Sequence, residues 1–158
     1  MSQVQPLPTA AVGGADIWPE AIDAYANNFT TGTSFLGDLT RMHTDYIPRV
    51  DSYWLSPACD TYSALGTMTN GITEGHGPHY ARIVLTSGAS MVMIEQVPAY
   101  LKSTSYQHLR RLLSPFFPHI HETKIDAYDV GSVASRTRGY AVLFRERTAN
   151  CRNGHGCF

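Results

Sequence analysis

The clearest pattern along the chain is an apolar stripe at helical spacing that stops at a proline and gives way to two-residue alternation. In YQHLRRLLSPFFPHIHETKIDAYDV, Leu109, Leu112, Leu113, Phe116 and Phe117 fall on one side of a helix, and Thr104 with Gln107 three residues on has the form of a capping box. Pro118 ends that helix. The strand predicted from His119 to Val130 puts His119, His121, Thr123, Ile125 and Ala127 on one face and Glu122, Lys124 and Asp126 on the other. Gly131 to Ser135 then turns the chain, and Tyr140 to Phe144, apolar on both faces, reads as an interior strand.

Upstream, Trp18, Ala21, Ile22, Tyr25 and Phe29 recur at helical spacing, predicting a helix to about Asn28 with Pro19 in its first turn. A second helix is predicted from Ser34 to about Tyr46, with Phe35, Leu39, Met42 and Tyr46 on one side and Pro48 as its end. Residues 49–79 admit either a short strand at Val50 to Leu55 or a poor helix around Tyr62 to Ile72. Tyr80 to Thr86 and Ser90 to Val97 read as two strands joined by a turn at Ser87-Gly88, with a buried helix over 79–87 as the alternative. The expected organisation is a flexible N-terminal arm over 1–15, a single α+β domain over 16–148 and a flexible tail over 149–158.

Composition narrows the picture. A chain of 158 residues with 43% hydrophobic and 11% aromatic residues can bury one continuous core. A formal charge of −1 gives no overall electrostatic case for nucleic acid or an anionic membrane surface, and the local cations, Arg110-Arg111 and the arginines from Arg136 to Arg152, read as a solvated face or a subunit contact. No apolar run is long enough to span a bilayer and the N-terminus lacks the form of a signal peptide, so a cytoplasmic protein with no membrane partner is expected. Cys59, Cys151 and Cys157 are an odd count and read as thiols; CRNGHGCF lacks zinc-ligand spacing.

The stretch IEQVPAYLKSTSYQHLRRLLSPFFPHIHETKIDAYDV, within Met91 to Phe144, resembles the NTF2-like or SnoaL-like superfamily, and is most similar there to the small fungal meroterpenoid cyclases and isomerases. That resemblance implies helices packed on one curved, mostly antiparallel sheet enclosing a conical pocket. The residues alone also fit a ferredoxin-like two-layer sandwich. A cone with so short a C-terminal end would expose a sheet edge that a second subunit covers, which implies a homodimer.

For chemistry, Glu95 shares a strand face with Met91, Met93 and Val97, and burial there would tune it as an acid or base. His121, with His119 beside it on the same face, is the second candidate for proton transfer. The two histidines also suit metal ligation in their spacing, but no partner motif accompanies them and no metal is expected. Tyr106, Tyr128, Tyr140, Trp54 and His119 are candidate walls and hydrogen-bond donors for an apolar or aromatic small molecule. GxSxG, P-loop and GxGxxG motifs do not occur. The function these readings support is a cofactor-independent isomerase, cyclase or dehydratase (lyase) working by general acid-base catalysis. The alternative is a non-catalytic assembly subunit of a homo-oligomer.

Overall fold

The computed structural model describes residues 10–29, 32–58 and 75–145. The reading of Tyr62 to Ile72 as a poor helix, the tail over 149–158 and all three cysteines lie outside the described residues. The chain divides into two compact units, Met1–Pro48 and Arg49–Phe158.

In the first unit, β1 (Gly13–Asp16), α1 (Pro19–Asn28) and β2 (Thr33–Leu36) form a strand-helix-strand unit whose two strands pair in parallel. The strand begins inside the segment expected to be a flexible arm. Pro19 opens α1, where its missing N–H costs nothing, and Trp18 caps it as an extended residue, one position outside the helix its spacing predicts. The helix predicted from Ser34 to Tyr46 is absent. Thr33–Leu36 is a strand, and Asp38 accepts hydrogen bonds from the Thr40 backbone N–H and hydroxyl, at 2.8 Å each, closing a turn where the helix would have continued.

The second unit holds a four-stranded sheet in the order β3-β4-β6-β5, from β3 (Ser52–Leu55), β4 (Met91–Gln96), β5 (His119–Asp126) and β6 (Thr137–Phe144). β3 and β4 are parallel, connected through α2 (Gly77–Ser87). β6 runs antiparallel to both neighbours and so inserts between β4 and β5, which are parallel to each other. Three of the four strands run in one direction and the neighbours β3 and β4 pair in parallel, which neither a cone of antiparallel strands nor the ferredoxin-like alternative provides, so this is a mixed α/β sheet. The dimer argument, built on a truncated cone, loses its premise.

Tyr80 to Thr86, expected as a strand, is instead the body of α2, as in the helical alternative. Its buried residues, Tyr80, Ala81, Ile83, Val84 and Ser87, follow helical spacing, and Gly88 closes it with φ 72°. α3 (Thr104–Leu113) follows a 3-10 turn at Pro98–Lys102, and its cap is Ser103, whose hydroxyl accepts from the Tyr106 N–H at 3.1 Å, one residue before the expected Thr104. α2 and α3 approach closely: a Cβ on Gly77 would collide with the Ser105 carbonyl oxygen.

The core gathers Leu55, Val92, Ile94, Ala141 and Leu143 of the sheet with Tyr80, Val84, Leu109, Leu113 and Phe117. Leu112 and Phe116, members of the apolar stripe, are 41% and 50% exposed. β5 ends at Asp126 and not at Val130, because the Asp126 carboxylate turns the chain by accepting from the Tyr128 N–H.

Candidate active site

Because β3 and β4 are parallel, their C-terminal ends lie at one edge of the sheet, and antiparallel β6 brings its N-terminal residues to the same edge. In open α/β sheets this is the edge at which ligands bind. Three side chains meet there. The Ser56 hydroxyl donates to Glu95 Oε2 at 3.1 Å, and Arg138 Nε forms an ion pair with Glu95 Oε1 at 3.1 Å. Glu95 and Arg138 are each 22% exposed, so the pair is sheltered but reachable. With one oxygen held by a guanidinium and the other by a hydroxyl, the carboxylate has a set direction.

Gln96, buried next to Glu95, spans the same two strands. Its amide nitrogen donates to the Pro57 carbonyl, and its Oε1 accepts from the Val97 N–H at 2.6 Å. The segment leaving β3 is thereby tied to the end of β4 at Pro57. Cys59 follows two residues later in the sequence. On the far side of Arg138, Asp126 organises the loop from β5 to β6. It accepts from the Tyr128 and Arg136 N–H groups at 2.9 and 3.1 Å and from the Ser135 and Thr137 hydroxyls at 2.7 and 2.8 Å. Those hydrogen bonds, led by the Tyr128 N–H, lower its pKa from 3.8 to about 2.

The first unit carries carboxylates at the equivalent positions of its own parallel pair. Asp16 ends β1 and accepts from the Trp18 N–H at 2.9 Å, next to the exposed side chains of Ile17 and Trp18. Asp38 follows β2 beside a cavity of about 290 Å3 lined by Phe35, Met42 and Tyr46 among others.

The expected site residues scatter. Glu95 belongs to the edge cluster, but it is not on the interior face: Val92, Ile94 and Gln96 are the buried residues of β4. His119 and His121 are exposed on β5. The register Glu95 to Tyr140 to Thr123 puts His121 on the same sheet face as Glu95, yet two strands over and offset by two residues, about 12 Å away by strand spacing. They do not form an acid-base pair around one small substrate. Tyr140 stands opposite Glu95 on β6. Tyr106 is a core residue whose hydroxyl donates to Glu122 Oε1 at 2.5 Å; burial, with that carboxylate second, raises its pKa. Tyr128 lies exposed beyond β5, and Trp54 is 64% exposed on β3. Among the described residues no three His, Cys, Asp or Glu side chains come together to hold a metal ion.

Sequence reasoning misses Ser56 and groups Arg138 with surface arginines. A single cation at the start of an otherwise apolar strand is the available signal for Arg138; for Ser56 there is none, since its role depends on the register of β3 with β4.

The family model of the C-5 cytosine-specific DNA methylases matches residues 3–155. The chain belongs to that family. No curated protein sequence matches it. Solved structures share its fold. One, described as a DNA modification methyltransferase encoded within an E. coli prophage, superposes with a TM-score of 0.71 at 19% identity, covering 84% of this chain and 39% of its own. The S. pombe Dnmt2 methyltransferase gives 0.66 at 16% identity, covering 90% and 46%. The Entamoeba histolytica methyltransferase EhMeth gives 0.65 at 20% identity, covering 94% and 48%. The chain thus spans less than half the length of these structures. Membership of this family and the Rossmann-like methyltransferase fold overturn the resemblance to NTF2-like cyclases. The isomerase, cyclase or lyase activity, the assembly-subunit alternative, the small-molecule substrate and the exclusion of nucleic acid fall with it.

Proposed function

We propose that this chain carries the base-binding edge of a DNA cytosine-C5 methyltransferase, with Glu95 directed at the target cytosine. The observation that carries this reading is the Glu95 carboxylate, set by Ser56 and Arg138 at the C-terminal edge of parallel strands in a chain of the DNA methylase family. Carbon 5 of cytosine is a poor nucleophile. It becomes an enamine carbon when a thiolate adds to C6 and N3 takes up a proton; after methyl transfer the C5 proton leaves, the C6–S bond breaks and the N3 proton returns.

In this scheme Glu95 meets N3 and the 4-amino group and manages the N3 proton, while Arg138 and Ser56 keep the carboxyl aimed. Cys59, two residues past the anchored Pro57, supplies the thiol. The base reaches this edge only when rotated out of the duplex stack. The methyl group comes from S-adenosylmethionine, the donor the fold implies, whose sulfonium makes the methyl electrophilic. The residues of the first unit suit its adenosine: the Asp16 carboxylate can accept from ribose hydroxyls, and the exposed Ile17 and Trp18 offer apolar surface to the base.

The test is incubation with duplex DNA and methyl-labelled donor, followed by mass spectrometry of the nucleosides. Label should appear in 5-methylcytosine, Glu95→Gln should lower turnover about a hundredfold or more, and Cys59→Ala should abolish it. Label on adenine or on the cytosine 4-amino group, or undiminished turnover in Glu95→Gln, would reject the assignment.

A further inference from the structure

α3 turns Leu109 and Leu113 into the core, and its outward side is polar and basic. An open groove of about 500 Å3 runs along it, lined by Lys102, Gln107, His108, Arg110 and Arg111 together with two hydroxyl side chains, and no carboxylate lines it. Arg110 is compensated by Glu122 at 3.1 Å. Among the described residues neither Lys102 nor Arg111 has an ion-pair partner. Since the whole chain carries a formal charge of −1, this concentration of cations is local.

Its position in the fold gives it a direction. The 3-10 turn Pro98–Lys102 leads straight from the C-terminal end of β4, so the groove begins at Lys102 on the edge that holds Glu95. From there α3 returns toward the start of β5, a run of about 15 Å for ten residues. Cations interleaved with amide and hydroxyl donors, with no carboxylate among them, match the oxygens of successive phosphates. An acidic protein surface would share only the charge; a row of phosphates flanking the target base also fits the donors and the place.

We infer that the outer face of α3 binds the phosphodiester backbone beside the target base, through Lys102 and Arg111. This rests on the DNA reading of the Glu95 edge. Such contacts position the duplex without reading its sequence.

The experiment measures duplex binding by fluorescence anisotropy across a salt series, for wild type and for Lys102→Gln/Arg111→Gln. Both residues are exposed and make no ion pair, so the fold should be retained, which circular dichroism checks. The double variant should bind about tenfold more weakly at low salt, equally for unrelated sequences. The slope of log affinity against log salt should shrink by about two, one for each phosphate no longer neutralised. If wild type binds DNA and the folded double variant keeps both its affinity and its slope, the α3 surface does not touch the duplex, while the DNA reading stands. The α3 inference fails equally if the variant loses only binding to poly-glutamate, which would mark an acidic protein partner. If wild type binds no duplex, the DNA reading itself fails and this inference with it.

Discussion

Tyr106 and Asp126 show how single side chains support the site without touching it. Tyr106 is buried against the sheet and its hydroxyl ends on Glu122, which also holds Arg110, so one carboxylate links α3 to β5. Tyr106→Phe should keep the packing and lose the hydrogen bond to a charged acceptor, lowering the unfolding free energy by about 1–2 kcal/mol in a denaturant titration. Asp126 gathers four donors and sets the start of β6, one residue before Arg138. Its folded pKa, about 2, lies below the ordinary 3.8, so its contribution to stability is complete only above about pH 5 and is lost as the pH falls through about 2. Acid titration of the unfolding midpoint should therefore be steeper for wild type than for Asp126→Asn between pH 4 and 2. Parallel curves would show that the charge is not coupled to folding. Neither role is legible in the sequence: Tyr106 reads there as a pocket wall and Asp126 as one of three charged residues on a strand face, because hydrogen bonds to distant groups leave no periodic trace.

Among the elements, α3 is the most legible, because a helix that packs on a sheet must repeat its apolar positions. The stripe is nevertheless wider in the sequence than in the fold. Leu109 and Leu113 are fully buried, whereas Leu112 is not, so Leu109→Ala should cost about 2–5 kcal/mol and Leu112→Ala less than half as much. Equal losses in chemical denaturation would put Leu112 back in the core. α2 is harder, since ARIVLT is β-branched and apolar enough to pass for a strand, and only Tyr80, Ile83, Val84 and Ser87 together disclose the helical period. Where α2 meets α3, Gly77 permits a backbone approach that no side chain fits. Gly77→Ala should destabilise by about 1–3 kcal/mol despite the higher helix propensity of alanine, a sign that a thermal melt would reveal.

Over the whole molecule, the buried cluster that holds the sheet to α2 and α3 lies entirely within Arg49–Phe158. A fragment comprising residues 49–158 should therefore unfold cooperatively by itself, with near-ultraviolet dichroism from packed Tyr100 and Tyr106. A broad, non-cooperative melt would mean that the core needs the first unit. The sequence alone determined α1, α3, the interior strand β6 and the strand at β4, because each rests on local spacing of apolar residues. Folding in three dimensions settled the rest. Whether β3 and β4 run parallel, and whether β6 inserts between β4 and β5, depends on backbone hydrogen bonds between segments far apart, and those bonds are the same for any side chain. Ser56 and Glu95, 39 residues apart in the chain, become partners only through that pairing, and Arg138 joins them only because an antiparallel strand begins at the edge where two parallel strands end.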